Sequence, residues 1–278
     1  MRTPYPHSEE EIAQRIEQYS QMPLRHFTEQ EAYRFIISIL DLTSLEGNDN
    51  SESIEALCQK AIALNDTARN VKSPAAVCLY SPFIAQAKQL LQDNEIRVAT
   101  VAAAFPSGQA PLSVKLEEIH YAVEQGADEI DIVISRGQFL LGNEQEVFDE
   151  IVSMRNACPN QTLKVILETG ELQTADNIYK ASQLAMSAGA DFIKTSTGKI
   201  KENATPRSFL IMLDAIVQHY HHHHKMVGIK PAGGITDGET ALLYLKMLES
   251  VLGQAWFSPQ YFRIGASRLA DTIFGLIE

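Results

Sequence analysis

The chain has 278 residues, of which 45% are hydrophobic and 21% charged, and these values exclude a chain that is disordered throughout. Its formal net charge of −12 argues against a nucleic-acid-binding protein, which needs a basic surface. An anionic small molecule is not excluded, because a single pocket can be positive on an acidic protein.

The cysteines indicate a reducing environment. Cys58, Cys78 and Cys158 are odd in number and widely spaced, so they form neither a disulfide framework nor a zinc motif. The N-terminal residues lack the apolar core of a signal peptide, and no run is long enough to span a membrane. We therefore expect a cytoplasmic protein with no membrane partner and no nucleic-acid partner.

Residues 1–30 are predicted to form an N-terminal extension. The stretch Glu9–Tyr19 places Ile12 and Ile16 on one face of a helix, which indicates an amphipathic helix packed on a larger body. No later stretch resembles a linker, so residues 31–278 are predicted to form one catalytic domain.

Beyond the extension, short apolar runs alternate with longer helical segments. The predicted strands are 38–42, 75–79, 97–101, 129–133, 163–167, 192–195, 226–230 and 261–265. Continuous apolar strands separated by helices are typical of parallel strands covered on both faces. Eight such units in a chain of this size predict an α/β fold, a (β/α)₈ TIM barrel.

Ionisable residues end several of these strands, where barrel enzymes carry their chemistry. Strand alternation turns Asp131, Lys194 and Lys230 into the barrel, and Gly228 is predicted to leave space beside Lys230. A lysine is nucleophilic only when neutral, and burial or a second cation lowers its pKa. An aspartate beside two lysines can also move protons, so the set indicates a Schiff-base enzyme. The alternative is a structural network of buried ion pairs.

Three glycine-containing loops follow the last strands, at 195–199, 231–236 and 265–268. Loops after the seventh and eighth strands of this fold often bind phosphate through backbone N–H groups. The alternative is that the glycines only turn the chain into the next helix. Their position beside the two lysines favours an anion site.

Several motifs together resemble the deoxyribose-phosphate aldolase family. They are EIDIVI at 129–134, LKVILETGEL at 163–172, FIKTSTGK at 192–199, GIKPAGGI at 228–235 and RIGAS at 263–267. The resemblance implies a TIM barrel and a class I aldolase without metal or cofactor. It also implies a cytoplasmic place in deoxyribonucleotide catabolism. Such enzymes reversibly cleave 2-deoxy-D-ribose 5-phosphate to D-glyceraldehyde 3-phosphate and acetaldehyde, so the implied partners are a sugar phosphate and aldehydes.

The resemblance also implies residue roles. Lys194 matches the Schiff-base lysine, Lys230 the lysine that lowers its pKa, and Asp131 the acid/base aspartate. Residues that match the pocket or the phosphate region are Asp41, Thr43, Cys78, Gly198, Lys199, Gly233, Gly234, Gly265 and Ser267.

The chain departs from the family near the phosphate. Thr236 and Asp237 stand where many members carry an arginine after the glycine pair. Arg268, where many members have a small residue, is predicted to restore the positive charge and to bind substrate.

Three further points concern a metal site, alternative functions and the oligomeric state. The run His219–His224 could hold a metal ion, but consecutive helical residues point in different directions and no ligand spacing joins them, so no metal site is predicted. There are two alternatives to this aldolase. One is another Schiff-base lyase or a transaldolase, and the other is a sugar-phosphate-binding protein without activity. A homo-oligomer is also compatible with the sequence.

Overall fold

The computed structural model describes residues 4–278, and its centre is a sheet of eight parallel strands closed into a barrel. The strands are β1 (Leu40–Thr43), β2 (Ala76–Tyr80), β3 (Arg97–Ala102), β4 (Glu129–Val133), β5 (Thr162–Ile166), β6 (Phe192–Lys194), β7 (Gly228–Lys230) and β8 (Ile264–Ala266). Each strand from β1 to β6 pairs with the next along the chain, and β8 pairs with β1. Two single bridges, Ile229 to Phe262 and Ala232 to Gly265, join the β7 and β8 segments and close the barrel. The predicted (β/α)₈ barrel is confirmed.

Helices surround the strands. They are α1 (Glu9–Gln21), α2 (Glu29–Ser38), α3 (Ser51–Ala63), α4 (Ile84–Leu90), α5 (Leu112–Glu124), α6 (Arg136–Leu140), α7 (Glu144–Ala157), α8 (Thr169–Leu172), α9 (Ala175–Ser187), α10 (Pro206–His223), α11 (Gly238–Val251) and α12 (Leu269–Phe274). Several begin at residues whose side chains bind the free N–H groups of the first turn, as Thr205 does for α10. In the described residues, no helix is both long and apolar enough to cross a membrane.

The strand bounds differ from the predicted ones in instructive places. The first strand starts at Leu40, because Ser38 completes the last turn of α2 and Ile39 caps it. The last strand is shorter than 261–265, because Tyr261 and Phe262 belong to the turn before it, where both N–H groups donate to Ser258 O. Aromatic residues fit a strand pattern, but here local turn hydrogen bonds compete with strand pairing.

The N-terminal segment is bound to the outside of the barrel. Tyr5 donates from its hydroxyl to Asp214 on α10 at 2.6 Å, and Arg15 on α1 makes a two-pronged ion pair with the same carboxylate. Buried Glu249 on α11 accepts the backbone N–H groups of Arg25 and His26. The boundary predicted at residues 30/31 falls within α2, and the division into extension and catalytic domain stays a prediction.

The two faces of the barrel wall differ in chemistry. Aliphatic side chains such as Ile130, Ile193 and Ile229 face outward and belong to the large core shared with the helices. Small side chains, including Ala76, Cys78 and Ala99, form a separate cluster along β2 and β3. Because these small groups take little volume, the barrel interior has room for the long charged side chains of the other strands.

Candidate active site

Seven charged side chains fill the interior of the barrel, and we call them the cage. None is more than 3% exposed. Its members are Asp41, Glu129, Asp131, Lys164, Lys194, Lys230 and Arg263. Three carboxylates therefore face four basic groups in a space without bulk water.

Asp131 lies at the centre of the cage. Its Oδ2 atom accepts from Lys194 Nζ at 2.7 Å and from Lys230 Nζ at 2.8 Å, and its Oδ1 atom accepts from Lys164 Nζ at 2.8 Å. The register of the sheet explains the arrangement, since Lys194 on β6 is the partner of Lys230 on β7. The predicted trio is thus brought together, with Lys164 as an additional neighbour.

The other carboxylates lie on the far side of the lysines. Asp41 accepts from Lys230 Nζ through Oδ2 and from Arg263 NH1 through Oδ1, both at 2.5 Å. Glu129 accepts from Arg263 NH2 at 2.7 Å and lies 2.6 Å from Lys164 Nζ. Asp41, which the family resemblance assigns to the pocket lining, therefore holds charged side chains of the protein itself.

The two central lysines have opposite pKa shifts. Burial lowers the pKa of Lys194 below its ordinary value; Asp131 opposes this and the charge of Lys230 adds to it. Burial also acts to lower the pKa of Lys230, but the carboxylates of Asp131 and Asp41 overcome it and raise that pKa. Lys194 is therefore the base that loses its proton more easily, while Lys230 keeps its charge.

The carboxylates remain ionised despite burial. Burial raises the pKa of Asp131, but Lys164, Lys194 and Lys230 overcome it and hold that pKa well below its usual range. Cys78 lies beside the cage, and burial raises the pKa of its thiol, so this group stays neutral.

A different glycine from the predicted one makes room for Lys230. A Cβ atom on Gly228 would come within 2.4 Å of the Phe192 ring, so its bare backbone accommodates an aromatic side chain. The expectation that Gly228 leaves space beside the lysine was wrong. Gly265 does this, because a Cβ atom there would lie 3.0 Å from Lys230 Cε. Gly228 has this different role because of the strand register, in which Gly228 on β7 pairs with Phe192 on β6.

A cavity of about 170 Å³ opens from Lys194 to the surface at the carboxyl ends of the strands. Its lining contains seven of the predicted binding residues: Thr43, Gly198, Lys199, Gly233, Gly234, Gly265 and Ser267. Asp41 and Cys78 are fully buried and are not part of this lining. Arg268 is exposed and also lies outside the lining, so its binding role stays a prediction.

One acidic side chain at this cavity was missed by sequence reasoning. Glu46 lines it and accepts from Lys199 Nζ at 3.2 Å, so the two form an ion pair at the mouth. Asp237, one of the two residues at which the chain departs from the family near the phosphate region, caps α11 by accepting from the backbone N–H of Thr240 at 2.8 Å. Thr236 is part of the lining.

Glu168 supports the loop that follows Lys194. It is fully buried, has a backbone φ of +56°, and accepts from the hydroxyl of Thr197 at 2.5 Å and from its N–H at 3.2 Å. A left-handed backbone is rare for a residue with a side chain and costs about 1–3 kcal/mol, which the surrounding contacts must offset. Glu168 thus fixes one wall of the cavity.

The histidine run forms the last turn of α10 and its cap. His219 is buried, and neither of its ring nitrogens has a hydrogen-bond partner among the described residues. Burial, together with the nearby His223, lowers its pKa to about 4. Across residues 4–278 the structure contains no cluster of three or more potential ligands able to hold a metal ion.

Three cage members were not singled out from the sequence. Lys164 and Glu129 have the same alternation as Lys194 and Asp131, and Lys164 stands in an otherwise apolar strand, which was a usable signal. Arg263 precedes β8 and reaches the cage only because its backbone N–H pairs with Ile229 O, a contact that the sequence does not reveal.

Comparison with known proteins identifies the class of enzyme to which the chain belongs. The model of the DeoC/LacD aldolase family matches residues 35–255, and the chain belongs to this family: it is an aldolase, a carbon–carbon lyase. Human deoxyribose-phosphate aldolase is 45% identical to it over 85% of this chain and 78% of the human one. The deoxyribose-phosphate aldolase of Agrobacterium fabrum is 42% identical over 89% of this chain and 92% of its own.

A solved structure supports the fold independently. The tetrameric deoxyribose phosphate aldolase of Aeropyrum pernix superposes with a TM-score of 0.69 at 23% identity, covering 97% of each chain. At this identity the likeness concerns the fold alone.

Proposed function

We propose that this aldolase reversibly cleaves 2-deoxy-D-ribose 5-phosphate to acetaldehyde and D-glyceraldehyde 3-phosphate, with Lys194 as the Schiff-base nucleophile. The observation that carries the proposal is the position of Lys194 at the bottom of the cavity, where it donates to the same Asp131 oxygen that a second lysine, Lys230, also binds. The family and the names of its relatives support the choice of substrate.

The first step forms the Schiff base. Neutral Lys194 Nζ adds to the C1 aldehyde of the open-chain sugar, and loss of water gives an iminium ion. The Asp131 carboxylate, 2.7 Å from Lys194 Nζ, is placed to accept the proton that this nitrogen gives up. Lys230, held protonated by Asp131 and Asp41, is the acid that helps the hydroxyl leave as water.

Cleavage then uses the iminium ion as an electron sink. A base in the cage, Asp131 directly or through one water molecule, takes the proton from the C3 hydroxyl. The C2–C3 bond breaks, C3 becomes the aldehyde of glyceraldehyde 3-phosphate, and the electron pair forms an enamine on C1 and C2. Protonation at C2 and hydrolysis of the new iminium ion release acetaldehyde and free Lys194.

The phosphate end is assigned to the glycine loops. Gly198, Gly233, Gly234 and Gly265 lie along the cavity. The N–H groups of Gly233 and Gly265 donate to Gly265 O and Pro231 O, so we assign the backbone contacts with the anion to the loop positions Gly198 and Gly234. Lys199 supplies a positive charge from the same wall once its ion pair with Glu46 opens. We assign the remaining binding roles to Thr43 and Ser267, which line the cavity beside them.

Trapping tests the nucleophile. Incubation with acetaldehyde and borohydride, followed by peptide mass mapping, should leave a reduced two-carbon adduct on Lys194. Lys194→Met should lower kcat for 2-deoxyribose 5-phosphate about 10⁴-fold, a loss of ~5.5 kcal/mol of transition-state stabilisation. Lys201→Met, at an exposed position on the loop after β6, is the matched control and should retain normal turnover.

Two outcomes would contradict parts of this proposal. An adduct confined to Lys230 or Lys199 would reverse the assigned roles. An adduct on Lys194 without cleavage of 2-deoxyribose 5-phosphate would retain the Schiff base and redirect the search to another sugar phosphate.

We also propose that the protein acts in the cytoplasm on small sugar phosphates and aldehydes, with no nucleic-acid or membrane partner. The three free, buried thiols suit a reducing compartment, and the net charge of −12 disfavours polyanions. Association of identical copies stays a prediction, which sedimentation of the purified chain measures.

A further inference from the structure

Six of the seven cage residues form a closed ring of alternating charges, which we call the charge ring. In order around the ring, Arg263 binds Asp41, Asp41 binds Lys230, Lys230 binds Asp131, Asp131 binds Lys164, Lys164 pairs with Glu129, and Glu129 binds Arg263. Three cations and three anions of the ring therefore balance without Lys194, and each binds two ring partners of opposite charge. Glu129 also pairs with Arg97, an exposed residue at the start of β3, at 3.3 Å.

Lys194 is attached to the charge ring from outside. Its Nζ atom donates to Asp131 Oδ2, an oxygen that already accepts from Lys230. By contrast, Lys230 has two carboxylate partners, and the Nζ atom of Lys164 lies within 3.6 Å of three carboxylates. A proton on Lys194 would give the buried cage a net charge of +1, and an uncompensated buried charge is costly.

We propose that Arg263 and Glu129 are positioning residues that close the charge ring, and that the charge balance of this ring, to which they contribute with opposite signs, sets how readily Lys194 becomes the neutral, nucleophilic base of the cage. The inference rests on the proposed role of Lys194 as the nucleophile. Arg263 acts by holding Asp41 with its Oδ2 atom toward Lys230, and Glu129 acts by holding Arg263 and Lys164 in place.

The other groups near Lys194 do not alter this balance. Cys78, on β2, stays a neutral thiol because burial raises its pKa. At the mouth of the cavity, Lys199 and Glu46 compensate each other in an ion pair. Glu168, two residues after β5, accepts from Thr197 and lies 3.9 Å from Arg136, which compensates its charge. The charge that Lys194 experiences is therefore set mainly by the ring.

Opposite substitutions in the ring should move the titration of Lys194 in opposite directions. Arg263→Met leaves the cage with one excess negative charge, so protonated Lys194 is favoured and its midpoint should rise by about one pH unit. Glu129→Gln leaves one excess positive charge, so the midpoint should fall by a similar amount. The double variant restores the balance and should return the midpoint toward that of the unmodified chain.

The midpoint is measured as the pH dependence of adduct formation on Lys194 with acetaldehyde and cyanoborohydride, mapped by mass spectrometry. Because this readout needs no sugar phosphate, opposite shifts in a chain that cannot cleave 2-deoxyribose 5-phosphate would refute the proposed substrate and retain the ring. Lys115→Met is the matched control, since Lys115 is fully buried but bound to Ser135 and Glu150 outside the cage. It should lower the melting temperature without moving the midpoint.

Shifts in the same direction, or no shift in a folded variant, would overturn the proposal. If Arg263→Met does not fold, the isosteric Glu129→Gln variant decides alone, by a fall of the midpoint or its absence. The unmodified chain gives a further test that needs no variant. A Lys194 midpoint at or above the ordinary lysine value of about 10.4 would also overturn the proposal.

Discussion

The barrel interior and the mouth of the cavity are both charged, but they are built in different ways. In the cage, carboxylates and bases are at most 3% exposed and paired on several sides, so a change in one alters the pKa of the next. At the mouth, Lys199 and Glu46 make one ion pair, with side chains 28% and 69% exposed. Water screens such a pair, and its contribution is about 0–1 kcal/mol. The proposed mechanism therefore depends on the cage, and we expect the mouth to adjust binding.

After the loss of Lys194 itself, the comparison predicts the largest effect for Lys230→Met. Loss of its positive charge removes one of the groups that lower the pKa of Lys194, so that pKa should rise. Since each pKa unit costs about tenfold in neutral lysine, kcat/KM at neutral pH should fall roughly 10²-fold or more. The low-pH limb of the rate profile should move toward alkaline pH.

The measurement is kcat/KM for 2-deoxyribose 5-phosphate from pH 5 to pH 10. Partial recovery of rate at alkaline pH separates a pKa effect from loss of structure. Near-normal turnover at neutral pH would show that the barrel interior is no more sensitive to the loss of one charge than the mouth of the cavity is.

A smaller effect is expected for Lys199→Ala at the mouth. A charge-assisted hydrogen bond to phosphate contributes about 1.5–3 kcal/mol, so KM for the phosphorylated sugar should rise roughly tenfold or more. The pH profile should keep its shape, because Lys199 lies outside the cage. Unphosphorylated 2-deoxyribose, assayed in parallel, should be affected little. Equal losses with both sugars would mean that Lys199 does not act through the phosphate.

Arg268→Ala should have a weaker effect of the same kind. The residue is exposed and outside the cavity lining, so its charge acts across water, and we expect KM to rise about threefold. Raising the ionic strength should reduce the difference between variant and unmodified chain. An effect that persists in high salt would indicate direct contact with the phosphate, and the complete absence of an effect would leave the backbone amides and Lys199 as its partners.

The smallest effect is expected from metal removal. Because the iminium ion supplies the electron sink, dialysis against EDTA should leave kcat unchanged. Loss of activity that zinc restores would instead draw attention to the histidine run at the end of α10, and His219→Gln with His223→Gln would then locate the ion.

The sequence by itself determined the barrel and the central trio. Eight apolar runs at helix-length spacing define parallel strands, and alternation alone turned Asp131, Lys194 and Lys230 to one face. The glycine loops could also be assigned to the mouth, because they follow the carboxyl ends of β6, β7 and β8.

Only the tertiary structure decided which charges meet. Arg263 reaches Asp41 across 222 positions of sequence and Glu129 across 134, because β8 closes the barrel against β1 and β7. Strand register likewise set Gly228 beside Phe192, and the pairing of β8 with β1 brought Gly265 close to Lys230. Residue spacing fixes which face a strand side chain takes, whereas the pairing of strands across a closed barrel fixes its neighbours. In a buried site those neighbours set the pKa values and therefore the chemistry.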